Sequence, residues 1–406
     1  SMDGGNMERV LHLMADKGAS DVYLTANSPI QLKINGQLVP VSDQILTPGQ
    51  PRALLAELLT PVQLEELDQT GELNLGIGIR SVGSFRLSAF KQRASIAAVI
   101  RCIPHKIPSM DTLNLPPVLA SLALERRGLV LVVGATGNGK STSLASMIEW
   151  RNTQLSGHIL TIEEPIEFLF SNKRSIINQR EVGRDTASLH IALKNALRQA
   201  PDCILIGEIR DRETMSMAIS YALSGHLVLA TLHANNSSHT LGRILSFYTP
   251  EARPALLGDL AAALKAIVSQ RLLRSTAGGR VPAVEVLLNS RFIAELIENG
   301  DIQGVREAMD KSLAEGSQMF EADIARLIGL GLVTQEEGLL GADSPTNLLW
   351  RLQNEMTPVS RVQPAKVESD APSFTEITLD VLPEEPQAPR QRLGGIGTDL
   401  HRSKHG

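Results

Sequence analysis

Gly128-Leu-Val-Leu-Val-Val133, followed by Gly134-Ala-Thr-Gly-Asn-Gly139-Lys140-Ser141-Thr142, is the stretch that decides the fold. The first part is a short apolar run of buried-strand type, the second matches G-x-x-x-x-G-K-[ST], and a helical stretch continues from Thr142 to Trp150. Strand, glycine-rich loop and helix start come in the order that phosphate binding needs. Gly134, Gly137 and Gly139, with Thr136 and Asn138 between them, let backbone N–H groups curl around phosphate oxygens. The helix that opens at Lys140, Ser141 and Thr142 adds its dipole. Lys140 reaches the β/γ oxygens of a nucleoside triphosphate such as ATP, and Ser141 offers a hydroxyl to Mg²⁺.

Further apolar runs follow at Ile159 to Glu163, Cys203 to Glu208 and Leu227 to Leu232, each leading into a turn or helix. Continuous runs of this kind suit buried parallel strands, so the region reads as a helix-flanked α/β sheet. Two of the runs end in acids. Glu163, Glu164 and Glu167 follow one, at the strand end that faces the ligand crevice of an open α/β sheet, where one of them could orient or deprotonate a water. Glu208 ends the next in the Walker B manner, a carboxylate delivered to the metal's water shell. His226 and His233 bracket Leu227 to Leu232, so a strand separates two polar groups that could sense the γ-phosphate at one end and pack at the other; His233 is a candidate catalytic residue and His226 a candidate nucleotide-binding one. No second pair of ligands at metal spacing accompanies them, which argues against zinc. From Arg291 to about Gln353 short helices take over, one with Phe320, Ile324, Leu327 and Ile328 along one face.

Towards the N-terminus, helical periodicity begins at Met7, Val10, Leu11 and Met14, which leaves Ser1 to Asn6 outside the expected fold. Period-two alternation runs from Val22 to Val41, with a hairpin dipeptide at Asn35-Gly36, and returns at Leu73 to Ile79, Phe85 to Ala89 and Ile96 to Ile103. Residues 7–103 therefore read as a mixed α+β domain. Pro104, Pro108, Pro116 and Pro117 mark 104–117 as a linker. The sheet domain spans 118–356, with a helical cap from about residue 291. Residues 357–406 hold six of the chain's 21 prolines and read as a disordered tail, with Phe374 to Val381 as its one strand-like stretch. Arg86, Arg93 and Arg101 lie on or between strands of the first domain, and a guanidinium there could stabilise phosphoryl charge if that domain closed on a nucleotide.

The whole chain, 406 residues with 43% hydrophobic, predicts two or three globular domains at roughly 100–200 residues each. A net charge of -5 leaves no basic surplus for nucleic acid, and two cysteines exclude disulfide scaffolds and four-cysteine zinc sites and suit a reducing, cytoplasmic compartment. No apolar run approaches the roughly 18 residues of a membrane span.

Taken with their order, these motifs resemble those of the secretion-superfamily ATPases, most closely the type IV pilus retraction ATPases of the PilT/PilU group, from about Met7 to Gln353. The phosphate loop is followed by an acidic box at Thr161 to Phe168, an atypical Walker B at Ile204 to Asp211 and a histidine box at Ser224 to His233. The resemblance implies a PAS-like α+β first domain, a RecA-like P-loop ATPase domain with a helical C-terminal cap, and a homohexamer with ATP between the domains. It implies Glu163 as the catalytic glutamate and Glu208 as the Walker B acid, with Arg86, Arg93 and Arg101 as candidate nucleotide-contacting arginines. Implied partners are a PilT-type retraction motor and an inner-membrane pilus platform protein, at which a cytoplasmic ATPase would act peripherally in twitching motility. The family's acidic box usually reads Glu-Asp-Pro, whereas this chain has Glu163-Glu164-Pro165. Where the retraction motor carries a basic motif resembling Ala-Ile-Arg-Asn-Leu-Ile-Arg-Glu, this chain reads Arg291-Phe-Ile-Ala-Glu-Leu-Ile-Glu298. The first departure lengthens one acid by a methylene and bears on its activity; the second, with the long tail, tilts the resemblance towards the accessory, PilU-type members. A secretion or conjugation export ATPase and a nucleotide-binding scaffold of the main motor are the alternative readings.

Overall fold

A computed structural model describes residues 5–79, 82–104 and 106–354. The expected tail, 357–406, and its Phe374 to Val381 stretch lie outside the described residues. The described chain falls into two compact units divided between Cys102 and Ile103.

The first unit is a six-stranded sheet. Its strands are β1 Asp21–Leu24, β2 Gln31–Ile34, β3 Gln37–Pro40, β4 Glu72–Ile79, β5 Gly83–Gln92 and β6 Ser95–Ile103, in the order β3-β2-β1-β6-β5-β4. The two alternating regions are thus one sheet, joined by the antiparallel pairing of Val22 with Ile100. A helix over Asn6–Asp16 buries Met7, Val10, Leu11 and Met14, at helical spacing. It begins one residue earlier than the periodicity suggests, because Glu57 accepts the Asn6 and Met7 N–H groups at 2.9 and 3.2 Å. Two helices, Gln50–Leu55 and Pro61–Thr70, were not expected; the second opens on a capping box between Thr60 and Gln63.

The second unit is built on a seven-stranded sheet. Its strands are β7 Gly128–Val133, β8 Gly157–Glu163, β9 Ser175–Glu181, β10 Cys203–Ile206, β11 Leu227–Leu232, β12 Leu264–Arg274 and β13 Arg280–Leu288. The order is β13-β12-β7-β11-β10-β8-β9, parallel from β12 to β9, with β13 antiparallel at the other edge. Every residue of β7, β10 and β11 is buried, which explains their continuous apolar runs. Alternate residues still serve opposite faces. Leu129, Leu131 and Val133 belong to one core, and Val130 and Val132 to the other.

The helices after residue 291 do two different things. Arg291–Glu298 and Ile302–Asp310 send Ile293, Ile297, Val305 and Ala308 into the main core. Phe320–Gly329 instead joins Leu273, Val281 and Ala283 of β12 and β13 in a separate core, through Phe320, Ile324 and Leu327.

Candidate nucleotide site

A parallel sheet brings the C-terminal ends of its strands to one edge, and the loops leaving those ends share a space. Here they line a cavity of about 760 Å³ whose walls include Thr136, Gly137, Gly139 to Thr142, Glu163, Glu164, Glu167, Glu208, Arg210 and His233. The register explains the convergence: Leu232 pairs with Val133, so His233 leaves β11 beside the phosphate loop leaving β7. Ile206 pairs with Ile162, which sets Glu208 near Glu163. The loop carrying Glu208 is held to β11, where the Ile209 N–H donates to the Thr231 carbonyl at 2.9 Å and the Thr231 hydroxyl to the Gly207 carbonyl.

Four side chains form a polar relay along this edge. Lys140 Nζ lies 3.1 Å from His233 Nδ1, His233 Nε2 contacts Glu208 Oε1, and Arg210 Nε donates to Glu208 Oε2 at 2.5 Å. An ammonium can only donate, so Nδ1 accepts and the Nε2 proton points to the carboxylate. Burial pushes the Lys140 ammonium below its ordinary range, while Glu208 and Glu167 pull it back up.

Glu163 sits apart from the relay in drier surroundings. Thr161 Oγ1 donates to its Oε2 at 2.7 Å and Gln179 Nε2 at 3.3 Å. Burial nevertheless raises its pKa from 4.5 to about 7; those hydrogen bonds oppose the shift, and the charges of Glu167 and Glu181 add to it. Glu164 and Glu167 are exposed. The three acids of one loop are therefore not equivalent: Glu163 alone is held by hydrogen bonds and tuned towards neutrality.

The phosphate loop rests on β12. Gln270, only 2% exposed, accepts from Ser143 Oγ at 2.5 Å and donates from Nε2 to the Asn138 carbonyl at 2.7 Å. A Cβ at Gly134 would lie 2.7 Å from the Gln270 carbonyl, a backbone atom, and Gly139 holds φ 77°, so close approach at the first and backbone conformation at the second call for glycine. Asn138 faces this strand, its Oδ1 accepting the Leu272 N–H at 3.4 Å, and contributes to the loop's shape.

The expected site residues divide accordingly. The edge gathers Lys140, Ser141, Thr142, Thr136, Gly137, Gly139, Glu163, Glu208 and His233. His226 is a correction. It precedes β11, its carbonyl accepting the Gly128 N–H at 3.0 Å, and so sits at the opposite end of the strand from the phosphate loop. Its Nδ1 pairs with the Tyr221 carbonyl at 3.0 Å and its ring packs edge-on against Tyr221. A parallel strand has one ligand end, and His226 is at the other. The three arginines belong to the first unit. Arg86 is half-buried on β5, Arg93 sits exposed at φ 45° in the turn between β5 and β6, and the exposed Arg101 pairs with Asp21 at 3.3 Å. Gln179, Gln270 and His190, which also lines the cavity, were not anticipated; the one available signal was a polar Ser269-Gln270 pair inside an apolar run.

A phosphate loop with strand-end acids and a histidine converging on one edge of a parallel sheet defines a P-loop nucleotide hydrolase. The family described as type II/IV secretion system protein matches residues 6–316, and the chain belongs to that family. It is 42% identical to the type IV pilus ATPase PilU of Pseudomonas aeruginosa over 95% of this chain and 99% of that one. To the type IV pilus retraction ATPase PilT of the same organism it is 34% identical, over 84% and 99%. A crystal structure of the pilus retraction motor PilT with bound ADP superposes with a TM-score of 0.78 at 38% identity, covering 85% of this chain and 99% of that one. No helix among the described residues is long and apolar enough to cross a membrane.

Proposed function

We propose that this chain binds ATP at the described edge, hydrolyses it to ADP and phosphate, and uses the cycle to drive type IV pilus retraction. The observation that carries the reading is the convergence of Lys140, His233 and Glu208 on the cavity that Glu163 also lines. In this account Lys140 leaves His233 for the β/γ oxygens, and His233, still held by Glu208, reads the vacancy. Water attacks the γ-phosphorus, the bond to the bridging oxygen of ADP breaks, and the water's proton passes to Glu163. A carboxylate that titrates near pH 7 is matched to that task. Ser141 and Glu208, two hard oxygen donors on one cavity, suit Mg²⁺ better than a softer ion and would hold it, adding charge neutralisation at the phosphates.

The finer reading is a homohexamer with residues 7–103 as its N-terminal domain, working beside a PilT-type motor at an inner-membrane pilus platform protein. Family membership and the 42% identity to PilU support it. A net charge of -5 fits a motor that acts on protein rather than nucleic acid. The test is Lys140→Ala: phosphate release falls on the order of a thousandfold and ATP affinity drops, while melting is unchanged. Turnover like that of the wild type would remove the phosphate loop from the mechanism.

A further inference from the structure

Resting on the nucleotide-binding reading above, we propose that Gln270 and Arg271, consecutive on β12, are positioning residues that hold the two loops of the site from behind, one loop each. The phosphate loop must hold several backbone N–H groups in a convergent shape, yet Gly137 and Gly139 at φ 83° and 77° make it conformationally free. Ordering such a loop at the moment of binding costs affinity, and a loop ordered beforehand avoids that cost. Gln270 supplies the order. Its buried amide is used at both ends, accepting from Ser143 in the first helix turn and donating to the Asn138 carbonyl in the loop itself.

Arg271 points to the other face of the strand, as the next residue must. Its guanidinium donates from Nη1 to the Gly341 carbonyl at 2.8 Å and from Nη2 to the Asn235 carbonyl at 3.1 Å. It pairs with Asp343 at 2.6 Å and lies 3.9 Å from the centre of the Phe320 ring. Asn236 Nδ2 donates to the same Asp343 at 3.1 Å. The loop that leaves His233 is thereby clamped to the helical cap two and three residues beyond the histidine. Only a planar fork can serve Gly341, Asn235 and Asp343 together while stacking on Phe320; a lysine could not span them. One strand therefore sets Lys140 through Gln270 and His233 through Arg271, and the 3.1 Å contact between those two side chains depends on both.

The proposal predicts a split that loss of stability alone would not produce. In the full-length protein, Gln270→Met keeps the volume and removes both hydrogen bonds. It should weaken ADP binding and raise KM for ATP about tenfold, a larger effect than on kcat. Arg271→Lys should lower kcat about tenfold, a larger effect than on ADP affinity. ADP affinity is read by titration calorimetry and turnover by phosphate release. If both variants only lower the melting temperature, or if the affinity and turnover effects are exchanged between them, the proposal fails. Should Gln270→Met not fold, Ser143→Ala breaks the same bond; ADP affinity then falls several-fold if the proposal holds and is unchanged if it does not. Lys140→Ala run alongside separates the levels: ADP binding as tight as wild type there would overturn the nucleotide site itself, whereas its loss there beside intact binding in Gln270→Met would overturn only the role of Gln270.

Discussion

Two histidines bracket β11, and the sheet assigns them opposite duties. His233, at the strand's C-terminal end, is 47% exposed and lies between Lys140 and Glu208. His226, at the N-terminal end, closes a turn against Tyr221. Residue type and strand are shared, so the difference comes from strand direction alone. In a parallel sheet every strand delivers its C-terminal loop to one edge, and charged groups collected there acquire a joint chemistry. Groups at the other edge satisfy backbone and pack. The same division separates Glu208 from Asp202, which flank β10: Asp202 accepts the His158 N–H at 2.7 Å, a structural bond far from the phosphate loop.

The sharpest way to break this comparison is at the functional edge. Glu163→Gln should bind ATP and hydrolyse it about a hundredfold more slowly, as expected for loss of a general base, with Glu164→Gln doing less. A more damaging Glu164→Gln would move the base to the exposed acid. The same Glu163→Gln variant should be more stable than wild type at pH 8 without nucleotide. With a native pKa of about 7 against 4.5 unfolded, the native state binds the extra proton in between, so wild-type stability falls as pH rises from 4.5 to 7 and the loss is complete above. Glutamine escapes that loss, by up to about 3 kcal/mol. Melting temperatures of the two proteins should coincide near pH 4.5 and separate by pH 8; a constant gap would contradict the buried-acid assignment. Smaller still is the histidine pair. His233→Ala should cut turnover about tenfold with stability little changed, whereas His226→Ala should cost about 1 kcal/mol of stability and leave turnover as it is. Equal kinetic effects would erase the distinction between the two ends.

Much of this edge was legible in the sequence because its parts are local. The phosphate loop, the acids after two strands and His233 each lie within a few residues of an apolar run whose end can be read directly. What failed to read was set by tertiary contact. The sequence groups His226 with His233 because both flank one apolar run, although the parallel reading of that run already gives it a single ligand end, at His233; the contact of His226 with Tyr221 is what the sequence does not carry. β12 follows the helix Arg253–Ala263 with no intervening residue, so helical and strand composition merge without a turn signal. β9 alternates buried and exposed residues among polar side chains and has no apolar run to announce it. Gln270 reaches the phosphate loop from 132 residues further along the chain, a distance across which no spacing rule operates. The raised pKa of Glu163 likewise comes from burial, which a sequence motif does not carry.

The account stands on Glu163 as the group that takes the proton from water, and its pH dependence is the direct test. Phosphate release at saturating ATP, followed from about pH 5.5 to about 8.5, should rise through a limb centred near pH 7 in the wild type as Glu163 loses its proton. Glu163→Gln should be slow and flat across that limb. The same limb surviving in Glu163→Gln, at any rate, would show that another group titrates in the mechanism and would contradict the assignment.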